Sequence, residues 1–145
     1  MNHRPALLLL AVLIAAVLSG CGPGPEMSHQ GFAGLTGTAW RALTVAGKAP
    51  VAGREPTIAF AADRVTGSGG CNGFGGPYHQ TGRDIQFGDL AMTLMGCTEA
   101  IGSTEGTFMR ILLTARTATV DGSGRLTIEG PDGLVVLAPD APAGS

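Results

Sequence analysis

From residue 38 to residue 137 the apolar residues fall mostly at every second position, in short runs separated by turn residues. That spacing predicts strands buried on one face. Thr38–Val45 alternates loosely around Trp40, its largest anchor. Thr57–Ala61 places Ile58 and Phe60 on one face, and Arg64–Thr66 leads into a glycine-rich stretch. Tyr78–Gln80 and Asp84–Phe87 can pair across Thr81-Gly82-Arg83. Thr117–Val120 and Arg125–Glu129 flank Asp121-Gly122-Ser123-Gly124, a strong hairpin signal. Pro131-Asp132-Gly133 turns the chain into Leu134–Leu137. One segment follows another period. From Ser103 to Ala115, Phe108, Ile111, Leu112 and Ala115 recur at helical spacing. Ser103 or Thr104 is the expected N-cap, with Glu105 near the positive helix end. Seven or eight strands with one helix predict an α+β fold, a curved antiparallel sheet or partial barrel packed with one α-helix.

The ends read differently. Ala6–Leu18 is an unbroken apolar run behind a short n-region carrying Arg4. It is shorter than the roughly 20 residues a bilayer span needs and fits the h-region of a secretory signal. Leu18-Ser19-Gly20-Cys21 follows it and resembles the lipobox of bacterial lipoproteins. That resemblance implies a signal peptide over 1–20 and a lipidated Cys21 as the first mature residue. Several acyl chains on one residue give stable anchoring. Residues 21–34 are rich in glycine and proline and read as a flexible linker, reaching roughly 20 Å by random-coil scaling. The domain is expected over 35–138, with a loose tail over 139–145.

Charge excludes one class of partner. The formal net charge is −2, and loss of Arg4 with the signal would make it −3. Lys48 is the one lysine, and no basic patch of the kind nucleic acid requires is present. With Cys21 lipidated, Cys71 and Cys97 remain. In an oxidising compartment an even pair reads as a disulfide, against the alternative of two buried thiols.

The stretch Val65-Thr66-Gly67-Ser68-Gly69-Gly70-Cys71-Asn72-Gly73-Phe74-Gly75-Gly76-Pro77-Tyr78 raises the question of chemistry. A dinucleotide fingerprint counted from Gly67 meets Asn72 where its third glycine belongs, and Pro77 stands where a helix should follow. A phosphate loop would need a lysine, and none is near. Cys71 as nucleophile would need a base, and the one neighbouring histidine, His79, reads as an exposed strand residue. The cysteines and histidines lack zinc spacing, and the carboxylates stand singly at turns and element ends. The remaining reading is backbone geometry: glycines permit close approach of two chains, and Asn72 tolerates left-handed backbone.

Three motifs in order then suggest a family. Gly67, Gly70, Cys71, Asn72, Phe74 and Gly76 are similar to the G-x-x-G-C-N-x-[FY]-x-G signature of META domains, found in HslJ-like bacterial envelope lipoproteins. Ile85–Cys97, with Thr93, Met95 and Cys97, resembles the second signature, I-x-F-x-x-[LI]-A-x-T-x-[MR]-x-C. Leu35–Leu43 resembles the opening L-x-G-T-x-W-x-L, and Glu105, Phe108 and Leu112 fit the helix that follows. Gly96 stands where the family often has alanine, and Pro77 interrupts the strand before Tyr78. The resemblance implies a compact α+β domain without established catalytic activity, in a family linked to stress response, novobiocin resistance and, in a protozoan relative, virulence and motility. It carries the paired cysteines over as Cys71 and Cys97. The expectation is a non-enzymatic monomer without cofactor or metal, held to an envelope membrane through Cys21 and serving stress tolerance or envelope maintenance. Two alternatives stand beside it: a small-molecule or lipid binder using a cavity in the bent sheet, and a protein-binding, protease-inhibitor-like module.

Overall fold

Alternation closes on itself in the computed structural model, which describes residues 34–141. Strands β1 (Ala39–Val45), β2 (Thr57–Phe60), β3 (Arg64–Ser68), β4 (Gly73–Thr81) and β5 (Asp84–Phe87) are followed by the short β6 (Ala91–Met92). Helix α1 (Glu99–Leu113) then precedes β7 (Thr117–Val120), β8 (Leu126–Gly130) and β9 (Gly133–Pro139). Eight strands pair in a ring, β1-β2-β3-β4-β5-β7-β8-β9 and back to β1, every pair antiparallel. The expected curved sheet is therefore a complete barrel, and β6 is a ninth strand, paired to β4 alone. The signal peptide, Cys21 and the linker up to residue 33 lie outside the described residues, as does the tail from residue 142.

The strands of the ring bury alternate side chains, among them Ile58 and Phe60, Phe74 and Tyr78, Ile85 and Phe87, Leu126 and Ile128, Val135 and Leu137. The loose alternation of β1 has a cause. A bulge shifts its register against β9 from Ala42↔Leu137 to Thr44↔Val136, so Trp40, Ala42 and Val45 point inward and Leu43 is left outside. One extra residue also separates β5 from β6 along the same edge of β4, where Tyr78 faces Phe87 but Phe74 faces Met92. Pro77 does not end β4. It lies where the strand changes partners, opposite Arg64, and its carbonyl accepts the Gly88 amide.

The helix start differs from the expectation. The helix begins at Glu99, with Thr98 in the N-cap position, four residues before Ser103. Thr104 is interior to it, and its hydroxyl donates to the Ala100 carbonyl one turn back instead of capping an end. At the other terminus β9 runs to Pro139, the Asp140 amide donates to the Ala39 carbonyl, and Arg41 meets the Asp140 carboxylate at 2.8 Å. β9 thus ends one residue past 138.

The core is continuous. Phe108, Ile111 and Leu112 of α1 are fully buried against strands that include β8, β9, β1 and β5. Phe108 meets Phe74 with ring centroids 5.9 Å apart, and Phe60, Tyr78 and Phe87 form a second aromatic group. Full burial of a side chain of this size stabilises the fold by roughly 1.5–3 kcal/mol.

Candidate functional site

Among the described residues two polar side chains are buried, Asn72 and Glu105, and they touch. Asn72 ends the turn that joins β3 to β4, closed by the Gly69 amide donating to the Asn72 carbonyl at 2.9 Å. Glu105 lies one and a half turns into α1, on the stripe that also carries Phe108, Met109 and Leu112. Its Oε2 accepts the backbone amides of Asn72 at 2.6 Å and Cys71 at 3.3 Å. Its Oε1 accepts the Asn72 side-chain Nδ2 at 2.7 Å.

The other side of the Asn72 amide serves a second segment. Oδ1 accepts the Met95 amide at 2.6 Å and the Thr93 hydroxyl at 3.1 Å. Thr93 Oγ1 in turn accepts the Gly73 amide at 3.1 Å. Two residues beyond Met95, Cys97 is bonded to Cys71, with their Cα atoms 6.1 Å apart. One asparagine thus joins the hairpin turn, the helix and the segment from Thr93 to Cys97. No buried side-chain nitrogen or oxygen among the described residues lacks a partner.

The glycines follow from this packing. Gly70 has φ +106°, a conformation that strains any other residue, and Gly69 faces the Glu105 side chain so closely that a Cβ would sit 2.4 Å from Cγ. Gly67 and Gly76 lie in β3 and β4, where an added Cβ would run into the Thr57 and Asp89 carbonyls. Phe74 fills the core beside Phe108. Of the signature residues, Asn72, Thr93, Met95 and Cys97 converge on one knot, with Cys71 as its covalent bond. Glu105, read from sequence as a partner of the helix end, is its centre. The signal was present: a carboxylate three, four and seven residues before Phe108, Met109 and Leu112 stands on the apolar face.

Two surface depressions lie away from the cluster, one of about 430 Å³ beside Thr36, Asp63, Tyr78 and His79, another of about 470 Å³ beside Ile85 and Arg116. His79 is exposed, and its Nε2 lies 3.3 Å from the Thr81 hydroxyl. Among the described residues no three His, Cys, Asp or Glu side chains gather as a metal site would require. No described helix is long and apolar enough to cross a membrane.

Comparison with known proteins agrees with the architecture. The sequence model of the META domain matches residues 33–141. A solution structure of a protein from Burkholderia xenovorans is 22% identical, with a TM-score of 0.58 over 74% of this chain and 85% of that one. A second solution structure is also 22% identical, with a TM-score of 0.61 over 72% of this chain and 90% of that one. At that identity the likeness is one of fold. No curated protein matches the chain in sequence.

Proposed function

The chain belongs to the META domain family, and from that premise we propose that it is a non-enzymatic envelope lipoprotein, anchored through Cys21 and serving stress tolerance or envelope maintenance. The observation that carries the non-enzymatic reading is the chemistry of the knot. The residues that mark the family use their polar atoms on one another: both Glu105 oxygens and both ends of the Asn72 amide are occupied by the chain itself. A general base or nucleophile must instead present a free atom to a substrate. Cys71 has no thiol to offer while it is bonded to Cys97.

The anchored half of the proposal rests on the apolar run and on Leu18-Ser19-Gly20-Cys21. The chain enters the barrel at the end of β4 where the Leu35 amide donates to Gln80 Oε1. A linker of residues 21–34 would join that point to the membrane. The test is intact mass and fractionation. Protein taken from membranes should begin at Cys21 and carry lipid on it, and Cys21→Ser should move to the soluble fraction. A chain that stays with the membrane after Cys21→Ser contradicts the anchor.

Of the two alternatives, a ligand held inside the sheet has less support, because Ile58, Val65, Leu126, Ile128 and Leu137 fill the barrel. A protein-binding module is favoured by one observation: Leu94 is 97% exposed.

A further inference from the structure

The ring of strands leaves the outer edge of β6 without a partner among the described residues. The Thr93 amide donates to the Gly73 carbonyl at 3.0 Å, so it faces β4. Backbone groups alternate sides along a strand. The amides of Met92 and Leu94 therefore face outward, and no described residue accepts them. Folded proteins blunt such an edge with charge or proline. Ala91-Met92-Thr93-Leu94-Met95-Gly96 contains neither.

This edge is also held still. Met95 is 60% exposed beside Leu94, yet its amide is bonded to Asn72, and Cys97 ties the segment to Cys71. An apolar pair fixed in place loses little freedom when a partner covers it. Along the sequence acidic residues flank it: Asp89 before β6 and Glu99 at the start of α1 are exposed, and neither forms an ion pair among the described residues, while Arg64 lies over Gly75 on the β4 side.

We propose that the outer edge of β6 binds an extended segment of another protein as an added strand. Its main chain meets the Met92 and Leu94 amides, its apolar side chains cover Leu94 and Met95, and basic residues at its ends face Asp89 and Glu99. This deepens the protein-binding alternative and does not depend on the anchor. Two other occupants fit less well. A second copy would bring acidic flanks together. A bilayer offers no unpaired main-chain groups to meet an open strand edge. Acidic flanks also repel an anionic lipid surface.

The test uses the mature chain carrying Cys21→Ser, so that no detergent is needed and a failure of the anchor does not enter. The probes are two synthetic peptides alternating valine and threonine, one ended by lysines and one by glutamates. Amide shift mapping should place the lysine-ended peptide at residues 91–96, with binding weaker by roughly tenfold for the glutamate-ended one. Leu94→Pro removes the outward amide while Thr93 keeps the extended backbone that precedes a proline. It should cost roughly tenfold or more in affinity, while Leu94→Ser, which keeps the amide, costs less and Val120→Ser costs nothing. The proposal is overturned by failure of both peptides to bind at millimolar concentration, by mapping to another surface, or by Leu94→Pro binding like the parent. It is equally overturned if the free chain is a dimer that Leu94→Pro dissociates, if the Met92 and Leu94 amides are already protected from exchange in the monomer, or if Leu94→Pro abolishes binding to anionic vesicles.

Discussion

Asn72 Nδ2 donates to Glu105 Oε1 at 2.7 Å and joins a hairpin turn to a helix 33 residues further along the chain. Taking a carboxylate out of water costs several kcal/mol unless hydrogen bonds replace its hydration. Here three N–H groups do so, and two of them are backbone amides of the glycine-rich turn. The turn therefore holds its shape through Glu105, and the same asparagine fixes the backbone at Met95. The most recognisable residues of the chain form a lock.

Gly69 tests how tightly that lock is packed. Gly69→Ala places a methyl group 2.4 Å from Glu105 Cγ and should destabilise the domain by about 1–3 kcal/mol. Gly106→Ala is the counterpart one residue past Glu105. It is exposed in α1 with open space around it, and should stabilise by about 0.5–1 kcal/mol. Urea unfolding of the two variants should shift the midpoint in opposite directions.

The disulfide closes a loop of 26 residues. Replacing Cys71 and Cys97 together by alanine should lower stability by about 3–4 kcal/mol in the chain-entropy account. The barrel should survive, because Asn72 still holds both Glu105 and Met95. Amide spectra should change near residues 69–73 and 93–98 and little elsewhere. A loss below about 1 kcal/mol would mean that the polar bonds hold this segment unaided.

Hydrogen bonds to Asp121 set the sign of a pH dependence. The Ser123 hydroxyl first, then the amides of Arg125 and Ser123, lower its carboxyl below the ordinary aspartate value of 3.8. A depressed folded-state value means that the contribution is present above the unfolded value and lost as pH falls through the folded one. A carbon-detected titration should find its midpoint below that of aspartate in a free peptide. Ser123→Ala should move that midpoint upward, and a midpoint that stays put would contradict the assigned cause.

How much of this was legible in the sequence depends on the period of each segment. The Thr117–Glu129 hairpin and the strands around Ile58 and Phe60 follow simple alternation, and the structure has them where the pattern puts them. β6 leaves no period in the sequence, because two paired residues are too few to show one. The apolar spacing starts only at Phe108, which puts the expected helix start at Ser103, whereas α1 begins at Glu99. That error set Glu105 in a first turn, where a carboxylate has a use at the surface, and hid its place on the buried face. Closure of the barrel depends on β3 meeting β4 and β5 meeting β7, and the latter seam is a single register pair, Asp84↔Thr117. No local pattern carries such a contact.

A double-mutant cycle on Asn72→Ala and Glu105→Ala tests the lock most directly. If the two side chains act as one structural unit, each single variant should lose about 2–4 kcal/mol of unfolding free energy, and the double variant should lose less than the sum by about 1–3 kcal/mol. Losses that add within about 0.5 kcal/mol would contradict the account.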